Sequence, residues 1–256
     1  MVVVFFIILI LLILLVLLVL SYKATRPIVV SMTTIPERIT SHKIHKTINS
    51  ILEQSYPVER FYINIPHKTM KNKPYPEDMI DTLIQQYPSV IFNRVENDLG
   101  PITKLVPTLS HVHVGEWIAL IDDDTVYNKD MITNLVDSDG DAVGYAGRLK
   151  DGLSYITSEN VQQGTECEFL ETFAGVLYKA ELFDDFKTDT DSTCVNQDDI
   201  VIGRHLERQG VKRFVIQSRF QCNHDGSGTP ELRDENLGDG NKKCYDTLFK
   251  KNSTWQ

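Results

Sequence analysis

Four short apolar runs recur at helix-sized intervals in the first half of the chain, and this rhythm restricts the fold more than any other feature. Ile28 to Met32, Phe61 to Ile65, Val90 to Val95 and Trp117 to Ile121 are rich in β-branched and aromatic residues and read as buried strands. Pro36 breaks the chain after the first, and Ile44, Ile48, Ile51 and Leu52 then fall at helical spacing between Ser41 and Gln54. Glu77 to Tyr87, opening at Pro76, predicts a second helix, and Thr103 to His111 a weaker third. Strands separated by helical crossovers require an α/β domain with a mostly parallel sheet covered on both faces.

Beyond Asp141 the rhythm loosens. Ala142 to Ala146, Phe173 to Tyr178 and Phe214 to Gln217 read as strands, and Asp198 to Arg208 as a helix. Asn223 to Lys243, dominated by glycine, charge and polar residues, reads as a long loop.

Val2 to Leu20 stands apart as an unbroken stretch of Val, Phe, Ile and Leu. As a helix it spans roughly 28 Å, the thickness of a bilayer's hydrocarbon. It lacks the basic leading region and small cleavage-site residues of a secretory signal, so residues 1–22 are expected to form a single-pass membrane anchor and 23–256 the catalytic domain. Lys23 and Arg26 place the following side in the cytoplasm by the positive-inside rule, whereas a Golgi or ER anchor in a eukaryotic cell has the opposite bias. Asn252-Ser253-Thr254 fits an N-glycosylation acceptor, so sidedness is open on the sequence.

A net charge of −9 argues against nucleic acid as a partner, since binding it depends on Lys and Arg neutralising phosphates. A phosphate-bearing ligand would need a bound cation. Cys167, Cys194, Cys222 and Cys244 show no CxxC pairing, which leaves both disulfides and free thiols open and gives no zinc ribbon.

The fourth apolar run ends in Asp122-Asp123-Asp124, three carboxylates at the mouth of a buried strand. Adjacent like charges there repel, and a hard divalent cation such as Mn2+ or Mg2+, which takes oxygen ligands, would offset them. The plainer alternative is a solvated acidic turn. Ligands of parallel sheets bind beyond the carboxyl ends of the strands, where this motif lies.

In these residues the chain resembles the GT-A glycosyltransferases, whose DxD motif follows an apolar strand and binds a metal together with the donor diphosphate. The resemblance implies Asp124 as the leading metal ligand, with Asp122 and Asp123 shared between the ion and the ribose. Thr33, Thr34 and Arg38 are similar to the segment lining the nucleotide base pocket. Asp98 to Lys104 (DLGPITK) is similar to a GPxTK-type segment whose Lys104 would face the nucleotide, although a lone lysine is usually a surface charge.

Asn196 to Gly203 resembles the ED-Vxx-G segment of inverting enzymes, with Asp198 in place of Glu, which puts Asp199 on the catalytic base. Either aspartate would also suit a helix start. His224, after the last predicted strand, matches a C-terminal metal-binding His, with Gly226 and Gly228 in a loop able to close.

The resemblance implies transfer of a sugar, hexosyl or pentosyl, from a nucleotide-diphosphate sugar, with UDP favoured. The acceptor would be a hydroxyl on a glycan, glycoprotein or glycolipid. Two competing readings stand beside it. Asp122 to Val126 also fits the DxDx(T/V) signature of haloacid-dehalogenase-like phosphatases, with Asp122 as nucleophile, although there the motif follows the first strand. The third reading is an inactive membrane-tethered carbohydrate- or nucleotide-binding module.

Overall fold

A computed structural model of the chain describes residues 26–150, 154–161, 164–187, 192–218, 223–224 and 239–250. The predicted anchor lies outside them, as do Cys222, Gly226, Gly228 and the glycosylation tripeptide. Among the described residues no helix is long and apolar enough to cross a membrane.

The predicted rhythm of the first half is present. β1 (Ile28–Thr33) leads through α1 (Pro36–Thr40) and α2 (Ile44–Leu52) to β2 (Arg60–Pro66), and α3 (Glu77–Gln86) leads to β3 (Val90–Val95). A 3-10 turn at Gly100–Lys104 and the short α4 (Val106–Leu109) replace the weak helix expected there, Pro101 and Pro107 opening two pieces in place of one. β4 (Trp117–Leu120) follows. Ile44, Ile48 and Ile51 are buried as the spacing predicts, each such side chain contributing about 1.5–3 kcal/mol, whereas Leu52 is 44% exposed.

The second half departs from expectation. β5 (Thr125–Val126), α5 (Met131–Asp137) and β6 (Ala142–Gly144) come first, and the run read as one strand to Ala146 splits: β7 (Ala146–Arg148) joins a different sheet. β8 (Tyr155–Thr157), β9 (Thr165–Cys167) and β10 (Phe169–Leu170) are short. The strand expected from Phe173 is a 3-10 turn at Thr172–Ala174, and only after Gly175, whose φ is +92°, does β11 (Val176–Lys179) begin. α6 (Asp198–Arg208) matches its predicted span, β12 (Arg213–Val215) is shorter than read, and β13 (Asn223–His224) follows. The loop reading of residues 223–243 fails at both ends, at β13 and at α7 (Gly240–Tyr245), with residues 225–238 outside the described ones, and a π-helical turn at Asp246–Lys250 follows.

The main sheet has eight strands in the order β3-β2-β1-β4-β11-β6-β12-β9. β1, β2, β3 and β4 pair in parallel, as do β6 and β12, while β11 is antiparallel to both neighbours. A smaller antiparallel sheet, β10-β7-β8, and the ribbon β13-β5 sit beside it. Cys194 and Cys244 form a buried disulfide, which ties the approach to α6 to α7, and Cys167 is a buried free thiol.

Candidate active site

The strand order reverses beside β1, where β2 lies on one side and β4 on the other, and open α/β sheets bind ligands at the carboxyl side of such a point. Both strand ends there are polar. The Thr34 hydroxyl donates to Asp123 Oδ2 at 2.6 Å, joining the two strand ends across the crevice. Thr47 on α2 donates to the Asp123 carbonyl at 3.0 Å. Arg38, buried on α1, reaches Asp124 Oδ2 at 2.5 Å and Asp123 Oδ1 at 3.6 Å.

Lys104 supplies the second cation. Its ammonium donates to Asp122 Oδ1 and to Thr172 Oγ1 at 2.8 Å, and it forms an ion pair with Asp198 Oδ2 at 3.0 Å. An ammonium has three N–H groups, and two of them are spent in these hydrogen bonds beside the ion pair. Lys104, expected to face the nucleotide, is a buried strut between the acidic strand end and the start of α6. Its backbone is held from below: Ser31 Oγ donates to the Lys104 carbonyl at 2.5 Å, and Asn64 Nδ2 donates to Thr108 Oγ1 at 2.9 Å. Ser31 and Asn64 are fully buried polar residues inside apolar strands, which is the signal that the sequence carried for this network and that pattern reading passed over. Gly100, at φ +73°, completes the approach, because a Cβ there would meet the Val195 carbonyl at 2.7 Å.

The second cluster sits on the first turn of α6. Asp198 is buried against Lys104, and the Thr172 hydroxyl lies 3.4 Å from its Oδ2. Asp199 Oδ1 accepts the Thr172 N–H at 3.0 Å. Neighbouring Glu171 is paired with Arg148 Nε at 2.6 Å.

Burial dominates the electrostatics. It raises the Asp199 carboxyl well above the ordinary range, Asp198 and Glu171 add to the rise, and Lys104 and the Thr172 N–H oppose it. Asp123 is pushed up to about 7 by burial and then by Asp124, against Arg38 and Thr34. Asp122, whose side chain keeps 32% exposure, is raised by burial and by Asp124 and Asp198, with Lys104 opposing. Formal anions outnumber cations two to one here: five aspartates and Glu171 against Lys104, Arg38 and Arg148.

The remaining predicted residues fall around this centre. Thr33 Oγ1 donates to the Asn64 carbonyl at 2.9 Å. Asp98 turns its carboxylate to the backbone N–H groups of Met70 and Gly100, at 2.9 and 2.8 Å, and so shapes its own loop. His224 pairs through its backbone with Thr125, the residue after the trio, so the ribbon carries it beside Asp124. Among the described residues no three His, Cys, Asp or Glu side chains converge as a metal cluster. Two cavities, of about 320 and 410 Å3, lie elsewhere and include none of the five aspartates.

Structural comparison identifies molecules built this way. The mannosyltransferase from Pyrobaculum calidifontis, in complex with GDP-Man and Mn2+, superposes with a TM-score of 0.50 at 18% identity over 75% of this chain. Glucosyl-3-phosphoglycerate synthase from Mycobacterium tuberculosis, in complex with Mg2+ and UDP, gives 0.56 at 14% identity over 92% of this chain and 83% of its own. The fold is the GT-A fold. Its mostly parallel sheet and the acidic end of β4 are the features predicted from the sequence. The inositol-1-phosphate CTP transferase from T. maritima shares this architecture, with a TM-score of 0.50 at 13% identity over 86% of this chain and 98% of its own. The chain spans about half (54%) of the mannosyltransferase's length. No protein-family model matches the sequence, and no curated protein matches it.

Proposed function

We propose that this chain is a metal-assisted glycosyltransferase that moves a sugar from a nucleotide-diphosphate sugar, UDP-linked by preference, to a hydroxyl of a glycan, glycoprotein or glycolipid. One observation carries this reading. Lys104 joins Asp122 at the end of β4 to Asp198 at the start of α6, so the two carboxylate clusters belong to one site at the switch point of the sheet. In transfer, the acceptor oxygen bonds to the anomeric carbon while the bond to the diphosphate breaks, its electron pair leaving with the phosphate oxygen. The acceptor proton passes to Asp199, the proposed base of an inverting reaction, with Asp198 held beside it.

The donor set fits a hard divalent cation. Carboxylate oxygens are in formal excess over cations, and Mn2+ or Mg2+ is commonly held by one or two carboxylates plus substrate phosphates, which does not require a three-residue cage. Asp122 and Asp124, with His224, are the proposed ligands. When bound, the ion neutralises charge developing on the leaving diphosphate. Thr33, Thr34, Arg38 and Asp123 form the proposed nucleotide-side wall, Arg38 and Thr34 fixing the Asp123–Asp124 carboxylates. Asp98 and Lys104 act there by shaping and bracing.

The phosphatase reading is disfavoured because three parallel strands precede β4 in the chain. At the membrane, Val2 to Leu20 is the proposed anchor. The Cys194–Cys244 disulfide supports placing the catalytic domain on the oxidising side, in the ER or Golgi of a eukaryotic cell. Protease protection of the domain in sealed vesicles is the expected result, and cleavage without detergent would reverse the orientation.

The functional test is a hydrolysis panel of UDP- and GDP-sugars with Mn2+, together with calorimetry of UDP. Binding should require Mn2+ and vanish with EDTA. Asp124→Ala should lose donor binding, and Asp199→Ala should keep it and lose turnover. Equal UDP affinity with and without EDTA, or pyrophosphate release from CTP and a sugar phosphate, would overturn the reading.

A further inference from the structure

The donor end of the site and the base are connected twice, and both connections run through the short turn Thr172–Ala174. On the first path, Lys104 holds Asp122 with one N–H and Thr172 Oγ1 with another, and the Thr172 backbone N–H donates to Asp199 Oδ1 at 3.0 Å. On the second path, the Asp122 N–H donates to Tyr127 Oη at 2.9 Å, and the Tyr127 hydroxyl donates to the Phe173 carbonyl at 2.8 Å. The turn has little room to shift. Thr172 is 1% exposed, and Gly175, which ends the turn, presses on α5: a Cβ there would meet Met131 Sδ at 2.6 Å.

This arrangement gives Thr172 two separable jobs. Its hydroxyl accepts from Lys104 and faces Asp198, which registers the turn against the donor side. Its N–H aims the Asp199 carboxylate. Resting on the glycosyl-transfer reading above, we propose that Thr172 is a positioning residue that sets where the Asp199 base stands relative to the donor, with Lys104 and Tyr127 fixing it from the Asp122 side. Thr172 touches no reacting atom. It sets the distance across which the acceptor hydroxyl must be deprotonated and attack, and misplacement by about 1 Å can cost on the order of 100-fold in rate.

Thr172→Val keeps the shape and removes the hydroxyl, leaving one Lys104 N–H without its partner, while Thr172→Ser keeps the hydroxyl. The full chain, purified in detergent, is assayed for Mn2+-dependent hydrolysis of the nucleotide sugar that the unaltered protein turns over fastest, water serving as acceptor. The Kd of UDP with Mn2+ is measured in parallel. The expected result is a fall in kcat of about tenfold or more for Thr172→Val, a Kd within about twofold, and return by Thr172→Ser to within about threefold of the unaltered kcat. A purely structural role would move kcat and Kd together and would not separate Ser from Val. Should circular dichroism show Thr172→Val unfolded, Thr172→Ala replaces it under the same criteria. An active parent with a Thr172→Val of equal kcat, or a joint loss without Ser rescue, overturns this inference alone. A parent that binds no UDP with Mn2+ and turns over no nucleotide sugar overturns the glycosyl-transfer reading and this inference with it.

Discussion

The two carboxylate clusters have similar composition and opposite surroundings. Asp122, Asp123 and Asp124 end a strand, and Lys104, Arg38 and the Thr34 hydroxyl are turned onto them. Asp198 and Asp199 begin a helix; among the described residues their one direct cation is Lys104, on Asp198, and Asp199 is held by the Thr172 N–H. The difference separates two tasks that a row of aspartates could perform. Cations and hydroxyls fix the strand-end carboxylates in place, which suits binding. Asp199 has no direct cationic partner among the described residues, and burial raises its proton affinity, which suits accepting a proton.

The largest expected effect tests that division. Asp199→Asn should lower kcat by about 10²- to 10⁴-fold with UDP affinity preserved, whereas Asp124→Asn should lose UDP affinity first. Equal behaviour of the two variants would erase the distinction. The pH dependence follows from the same carboxyl. Its folded pKa is raised, so its contribution to stability is complete below the unfolded value and is lost as pH rises through the folded one. With Asp199 as the proposed base, turnover should rise with pH along a limb displaced above the ordinary carboxylate range, while the thermal midpoint falls. A pH-rate profile beside thermal melts checks both signs.

Next in size is the shared strut. Lys104→Met removes the cation that bridges both clusters and strips Asp122 and Asp198 of it, at a cost of about 3–5 kcal/mol in urea unfolding. Replacing Cys194 and Cys244 by Ser should cost about 2–4 kcal/mol, and mostly on the α6 side, where hydrogen exchange should quicken while β1 to β4 stay protected. Tyr127→Phe, which breaks the backbone link from Asp122 to Phe173, should cost about 1–3 kcal/mol in the same unfolding assay.

How much of this was legible follows from how each element is stabilised. β1 to β4 are buried on both faces, so their apolar runs stand out, and α6 announces itself by acidic residues before an apolar stripe. The short strands after Asp141 were misread because their pairing, and not their composition, defines them. Gly144 and Ala146 look like one strand, yet Tyr145 separates two sheets. α7 was missed because a polar GNKKCY segment carries no helical stripe; its Cys244 disulfide and Tyr245 packing hold it.

Within the site, the sequence pointed to Asp122 to Asp124, Asp198 and Asp199 as the acidic residues of interest, because carboxylates at the mouth of an apolar strand or the start of a helix are visible in one dimension. It also fixed the α/β class, through the alternation of strand-like and helix-like periods. Only the tertiary structure decided that Lys104 is buried between the two clusters, that Thr172 touches Asp198 and Asp199 and reaches Asp122 through Lys104, and that Arg38 faces the trio. Those residues lie between 18 and about 94 positions from their partners, and a hydrogen bond depends on distance in space, which no local pattern along the chain encodes.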